Sequence, residues 1–303
     1  MAKLPLGVDI DNLIEDLINF SWEASEILLY YSRILKESES NNDLIKIKDN
    51  KDPVTLADLK VNEVIIKRIT NAYKNCEWDI LSEESSMSNG NVSKEKKEWL
   101  WILDPLDGTK DFIQGTGNYA MHLALNYNQK PYLGVVLIPE KNELWISNGE
   151  KVWCETSDGT HKIILEPVRK EIRDMTIVTS KNHRNSNLEN LIKKIKFKNV
   201  KIMGSIGCKI ASLIRGENDI YISLSLPGQS CPKDWDFAAP EAILRSFGGA
   251  ITNLDNEELS YNKENHEQGG VIIASNDKKT HESKCKQIKE IIQESNLFPI
   301  EFN

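Results

Sequence analysis

The stretch Trp101-Ile-Leu-Asp-Pro-Leu-Asp-Gly-Thr-Lys-Asp-Phe112 decides how the rest of the chain is read. Leu100 to Leu103 are continuously apolar and read as a short buried strand. Asp104, Pro105, Leu106 and Asp107 then read as a turn, and Gly108 and Thr109 as the opening of a short helix. Two carboxylates therefore leave the end of one strand together. Carboxylates this close repel unless a cation lies between them, and hard divalent ions such as Mg²⁺ take carboxylate and carbonyl oxygens as ligands. The backbone N–H groups of Gly108, Thr109 and Lys110 at a helix start suit a phosphate. Either aspartate alone is an ordinary turn residue; together they offer a metal and a phosphate adjacent seats.

Working outward, Trp78 to Leu81 reads as a strand that delivers Ser82-Glu83-Glu84-Ser85 at its end, where a generic glutamate pair would simply be solvated. Further upstream, apolar residues from Ile10 to about Leu35 recur at helical spacing. Glu37 to Asn42 and Lys46 to Lys51 are polar or charged and lead to Asp52-Pro-Val-Thr-Leu-Ala-Asp58. Thr55 and Asp58 have the spacing of a helix cap, and Val61, Ile65, Ile69 and Ala72 give the following helix its buried face. Pro53 biases Asp52 towards an extended conformation, leaving it a loop carboxylate whose role depends on Thr109 coming near.

Downstream, Tyr119 to Tyr127, Tyr132 to Ile138, Leu144 to Ser147 and Val152 to Glu155 read as an antiparallel meander. Past Pro167 the pattern changes to strands at Met175 to Thr179, Val200 to Met203 and Ile220 to Leu224, alternating with helices at Leu188 to Ile195 and Ile206 to Arg215. Asp236 reads as preceding a helix, with Pro240 in its first turn and Gly248-Gly249 as its stop. A strand at Gly270 to Ala274 and a terminal helix follow. The expected organisation is residues 1–165 as an α+β domain carrying the acidic stretch and residues 166–303 as an α/β domain.

The chain has 303 residues, enough for one large or two ordinary domains. A net charge of −8 argues against a general nucleic-acid binder, while local cations can still hold an anionic substrate. The five cysteines are scattered and contain no Cys-x-x-Cys pair, as expected of reduced thiols in a cytoplasmic protein. Neither a signal peptide nor a membrane span is legible.

Five separate features agree in order: Asp52 to Asp58 as Asp-x-x-Thr-x-x-Asp, Glu83-Glu-Ser85, Asp104-Pro-Leu-Asp-Gly-Thr109, Gly204-Ser205 before a helix, and Trp235-Asp236 at a late helix. This series resembles the signature of the inositol monophosphatase superfamily, the lithium-sensitive, Mg²⁺-dependent sugar-phosphate phosphatases. The resemblance implies a layered αβαβα sandwich of mixed α/β class. It also implies two to three Mg²⁺ ions held by Glu83, Asp104, the Leu106 carbonyl, Asp107 and Asp236. As plain structure, Asp236 is equally an N-cap. The implied chemistry is direct hydrolysis of a phosphomonoester by water, activated by the metal and by Thr109 paired with Asp52, without a Cys or Ser nucleophile.

Within the superfamily, Lys110-Asp-Phe112, Thr179-Ser-Lys-Asn-His183 and Gly204-Ser-Ile-Gly-Cys-Lys209 are similar to stretches of the 3'(2'),5'-bisphosphate nucleotidases. That likeness implies substrate contacts by Gly108, Lys110, Ser180, His183, Ser205 and Lys209. The expected reaction is hydrolysis of 3'-phosphoadenosine 5'-phosphate to AMP and phosphate, a salvage step linked to sulfate assimilation. An inositol monophosphatase is the alternative of the same chemistry, and a non-catalytic nucleotide- or metal-binding protein the alternative of another class. A small phosphorylated substrate is the expected partner, with no nucleic acid or membrane, for a monomer or homodimer. The chain departs from the nucleotidases at Gly204 to Lys209 and carries a longer segment from Ser223 to Lys233, both beside the expected nucleotide pocket.

Overall fold

The computed structural model describes residues 4–37, 44–47, 53–86, 97–164, 166–181 and 184–299. In chain order the elements are α1 (Ile10–Glu37), β1 (Ile45–Ile47), β2 (Pro53–Thr55), α2 (Leu56–Ala72), β3 (Trp78–Ser82), α3 (Glu83–Ser86), β4 (Trp99–Asp107), α4 (Thr109–Ile113), β5 (Ala120–Tyr127), β6 (Lys130–Ile138), β7 (Glu143–Ser147) and β8 (Val152–Glu155). There follow β9 (Thr176–Ser180), α5 (Ser186–Ile195), β10 (Asn199–Met203), α6 (Ile206–Ile214), β11 (Ile220–Ser225), α7 (Asp234–Phe247), β12 (Ala250–Asn253), β13 (Gly270–Ser275) and α8 (Lys278–Glu294).

Alternation along the strands builds the layers, because successive side chains point to opposite faces. In the six-stranded sheet, ordered β3-β4-β5-β6-β7-β8, Trp101, Leu103, Leu123, Leu125 and Val135 face one way and pack under α1 and α2. Ile102, Ala124 and Val136 face the other way and meet α6 and α7. These two helices also cover Val178, Tyr221 and Ile272 on one face of the five-stranded sheet, ordered β10-β9-β11-β13-β12. Ile177, Ile222 and Ile273 on its other face pack against α5 and α8. The layers are therefore helix, sheet, helix, sheet, helix, an αβαβα sandwich of mixed α/β class. The middle helices come from the second half of the chain, yet α7 presses onto β6 of the first. A Cβ on Gly134 would lie 2.6 Å from Ala242 Cβ, so that contact depends on a glycine.

Three sequence-based expectations need correction. β4 does not stop at Leu103: it runs through Asp107, with its pairing to β5 shifting register between Asp104 and Asp107. A bulge tolerates a proline, which has no N–H to give the ladder, so Pro105 turns nothing. Asp236 does not precede α7; it is the third residue of the helix, and its carboxylate accepts from the Lys233 N–H at 2.5 Å. Pro240 is consequently the seventh residue, in the second turn rather than the first. Elsewhere the first sheet is antiparallel except that β3 runs parallel to β4, and in the second sheet only β13 runs against its neighbours, between β11 and β12.

Candidate active site

The bulge in β4 explains why two aspartates three residues apart serve one cleft. In a regular strand positions i and i+3 face opposite sides; the extra residue of a bulge re-aims one of them. Asp104 lies opposite His122 and Asp107 opposite Ala120, so three steps on β4 match two on β5. Asp236 arrives from the first turn of α7. Ligand oxygens of Asp104, Asp107 and Asp236 lie within 4.8 Å of one another. They line a cleft of about 410 Å³, together with Glu83, Leu106, Gly108, Thr109 and Lys110 from the first half of the chain and Ser180, Ser205 and Lys209 from the second. A larger groove, about 1090 Å³, lies beside it around Gln229, Asp255 and Phe298 but is lined by none of these three aspartates.

Burial pushes the Asp104 carboxyl well above the usual carboxylate range, and the charges of Glu83, Asp107 and Asp236 push it further. Asp236 moves in the same direction, through burial and then through Asp107. A hard cation removes this mutual repulsion, and an all-oxygen donor set of carboxylates is what such an ion takes. The residues therefore fit a divalent metal, with Glu83 at the start of α3 on the same cleft wall.

Asp107 is the best anchored of the three. Its Oδ2 accepts from the Ser205 hydroxyl at 2.7 Å, from the Ile206 N–H and from the Gly207 N–H at 3.3 Å, at the N-terminus of α6. A helix N-terminus favours negative charge, so this seat stabilises the carboxylate and leaves its other oxygen for a ligand. Ser205 is held at φ 43° as the cap of α6, and its oxygen also accepts from the Cys208 N–H. The hydroxyl proposed from sequence for a nucleotide is thus turned towards Asp107.

Thr109 donates towards two oxygens, the Leu106 carbonyl at 3.1 Å and Asp58 Oδ1 at 3.3 Å. The sequence paired Thr109 with Asp52, which lies outside the described residues. Asp58, read from sequence only as a cap, is 1% exposed and does both jobs. Its Oδ2 takes the Thr55 N–H and hydroxyl, completing a capping box, while its Oδ1 faces Thr109. Burial raises its carboxyl to about 7, with Glu83 and Glu84 adding to the rise and the Thr55 bonds opposing it.

Lys209 is buried, its Nζ bonded to the Ser205 carbonyl at 3.1 Å and 5.3 Å from the Tyr221 ring centroid. Desolvation pulls its pKa down and Asp107 resists. Ser180, at the end of β9, hydrogen-bonds the Tyr221 hydroxyl. His183 lies outside the described residues. The sequence reading passed over Lys181, Arg184, Lys233 and Tyr221, which also line the cleft. It also passed over His122, whose one signal was a polar residue inside an apolar strand.

Comparison with known proteins agrees with this geometry. The inositol monophosphatase family model matches residues 9–293. The 3'(2'),5'-bisphosphate nucleotidase CysQ of Aggregatibacter actinomycetemcomitans is 28% identical over 257 residues, covering 83% of this chain and 88% of that protein. The mouse 3'(2'),5'-bisphosphate nucleotidase 1 is 30% identical over 206 residues, 66% of this chain and 64% of its own. Among solved structures, an IMPase of Thermotoga maritima superposes with a TM-score of 0.70 at 21% identity, covering 93% of this chain and 99% of that one. The suhB protein of Bartonella henselae gives 0.71 at 20% identity, with 93% and 98% covered.

Proposed function

The chain belongs to the inositol monophosphatase family of phosphatases, and from that premise we propose that it is a Mg²⁺-dependent 3'(2'),5'-bisphosphate nucleotidase. Its substrate would be 3'-phosphoadenosine 5'-phosphate, hydrolysed to AMP and phosphate in the salvage that accompanies sulfate assimilation. The observation that carries the reaction type is the convergence of Asp104, Asp107 and Asp236 within 4.8 Å on one cleft wall, with Thr109 and Asp58 beside them. The choice of a nucleotide rests on the relatives named as bisphosphate nucleotidases and on the cations of the second half of the cleft.

In this reading Glu83, Asp104, Asp107, Asp236 and the Leu106 carbonyl would hold the metal. When bound there, Mg²⁺ would supply Lewis-acid charge to the phosphoryl oxygens and to the departing alkoxide. The chain's own residues supply the proton handling and the fit. Thr109 orients the attacking water and passes its proton to Asp58, whose carboxyl at about 7 is matched to a base working near neutral pH. Asp52, which precedes β2 in the chain, would join this pair. The amide of Gly108 and the ammonium of Lys110 meet the phosphate being cleaved, and Lys209 with Ser180 and His183 meets the nucleotide, while Ser205 holds Asp107. Lysine serves phosphate as a point charge, and a buried one gains strength from its low-dielectric surroundings.

Phosphate release with Mg²⁺ from 3'-phosphoadenosine 5'-phosphate, its 3'-phosphosulfate relative and inositol 1-phosphate, compared by kcat/KM, tests the proposal. A large preference for the adenosine substrates is expected. Preference for inositol 1-phosphate would keep the metal chemistry and overturn the nucleotide pocket; no release from any of the three would favour a non-catalytic binding protein.

A further inference from the structure

His122 is fully buried near the middle of β5, on the face that meets α6 and α7. The residues two steps away on that face are Ala120 and Ala124, small enough to leave room for an imidazole. The ring stands opposite Asp104 across the β4–β5 ladder. Its Nε2 is 3.3 Å from Asp107 Oδ2, and its Nδ1 is 3.3 Å from the Trp235 carbonyl in the first turn of α7. A Cβ on Gly207 would lie 2.2 Å from Nε2, so α6 has its backbone against the same ring. One imidazole thus touches the three segments that carry Asp107, Lys209 and Asp236. The hydrolytic reading assigns it no task.

We propose that His122 is a positioning residue for the acidic cluster: it fixes the orientation of the Asp107 carboxylate from behind and ties it to the turn of α7 that carries Asp236. The inference rests on the reading of those carboxylates as a divalent-metal site. The two contacts differ in kind: Nδ1 hydrogen-bonds the Trp235 carbonyl, while Nε2 lies against Asp107 Oδ2 at 3.3 Å without a hydrogen bond, as a neutral ring has one N–H to give, so they can be removed separately. Outer partners of this kind orient ligands, and their loss typically weakens metal binding by about 10- to 100-fold.

The test measures Mg²⁺ binding by calorimetry on the full chain without substrate, for the parent protein and for His122→Leu, His122→Asn and His122→Gln. The glutamine amide reaches where Nε2 stands and keeps a polar group against Asp107; the asparagine amide reaches only where Nδ1 stands; leucine keeps neither. The expected result is Mg²⁺ affinity weakened about 10-fold or more in the Leu and Asn variants and largely restored in Gln. A purely structural role would lower the unfolding midpoint of all three without ordering their Mg²⁺ affinities. Affinities of Asn and Gln variants equal to the parent would overturn the proposal, and this pair decides it even if the Leu variant does not fold. A parent chain that binds no Mg²⁺ would instead remove the metal reading itself.

Discussion

Replacing Asp58 by Asn should make the folded chain more stable at alkaline pH and the enzyme slower. Burial raises this carboxyl from its ordinary 3.8 to about 7. At about 1.4 kcal/mol per pH unit, ionising it inside the fold costs about 4 kcal/mol relative to the unfolded chain. The sign follows from the proton count. Between pH 3.8 and about 7 the folded chain keeps the proton and the unfolded chain has lost it, so stability falls as pH rises through that window and levels off above it. Asparagine carries no charge. Its oxygen still meets the Thr55 donors that now lie 2.8 and 2.5 Å from Oδ2, and its amide can donate to Thr109. The gain should therefore be about 4 kcal/mol near pH 8 and about 2 kcal/mol near pH 5. Urea unfolding of both chains in chelator at the two pH values reads the difference. The kcat for 3'-phosphoadenosine 5'-phosphate, measured with Mg²⁺, should fall about 100-fold or more through loss of the base. A stability difference independent of pH, or an undiminished kcat, would refute the reasoning.

Asp104→Asn should abolish turnover and with it the thermal stabilisation by Mg²⁺, which for the parent amounts to about 2.7 kcal/mol at 100 times the dissociation constant; near-normal phosphate release by the variant would sink the assignment. Gly204→Ala places a Cβ 2.3 Å from Asp111 Cγ and 2.7 Å from the Asn118 carbonyl, where Asp111 is itself held by Thr116. Overpacking there should cost about 1–3 kcal/mol in urea unfolding, and an unchanged midpoint would show that the neighbours give way freely.

Much of this architecture was legible because its signals are local. Helical spacing from Ile10, the Thr55–Asp58 cap and the left-handed Gly248 at the end of α7 are each written within a few residues, and each is present in the fold. The Asp-Pro-Leu-Asp-Gly-Thr string marked the acidic stretch of the site for the same reason. Its conformation was misread: a buried ladder with β5 carries the strand through Pro105, and proline and aspartate look identical in a turn and in a bulge.

The amino-acid sequence by itself determined the mixed α/β class, the order of the elements apart from the short β1, β2, α3 and β12, and the acidic residues that converge on the cleft. Tertiary structure alone decided which of them meet. Asp58 has one carboxylate and two partners, Thr55 three residues away and Thr109 fifty-one residues away, and local spacing announces only the first. The same holds for the second sheet, whose order β10-β9-β11-β13-β12 no strand pattern specifies, and for His122, which reaches Trp235 across 113 residues. Periodicity records which face of an element is buried. What that face is buried against depends on how distant segments pack, and the convergence of the carboxylates on one cleft is a product of that packing.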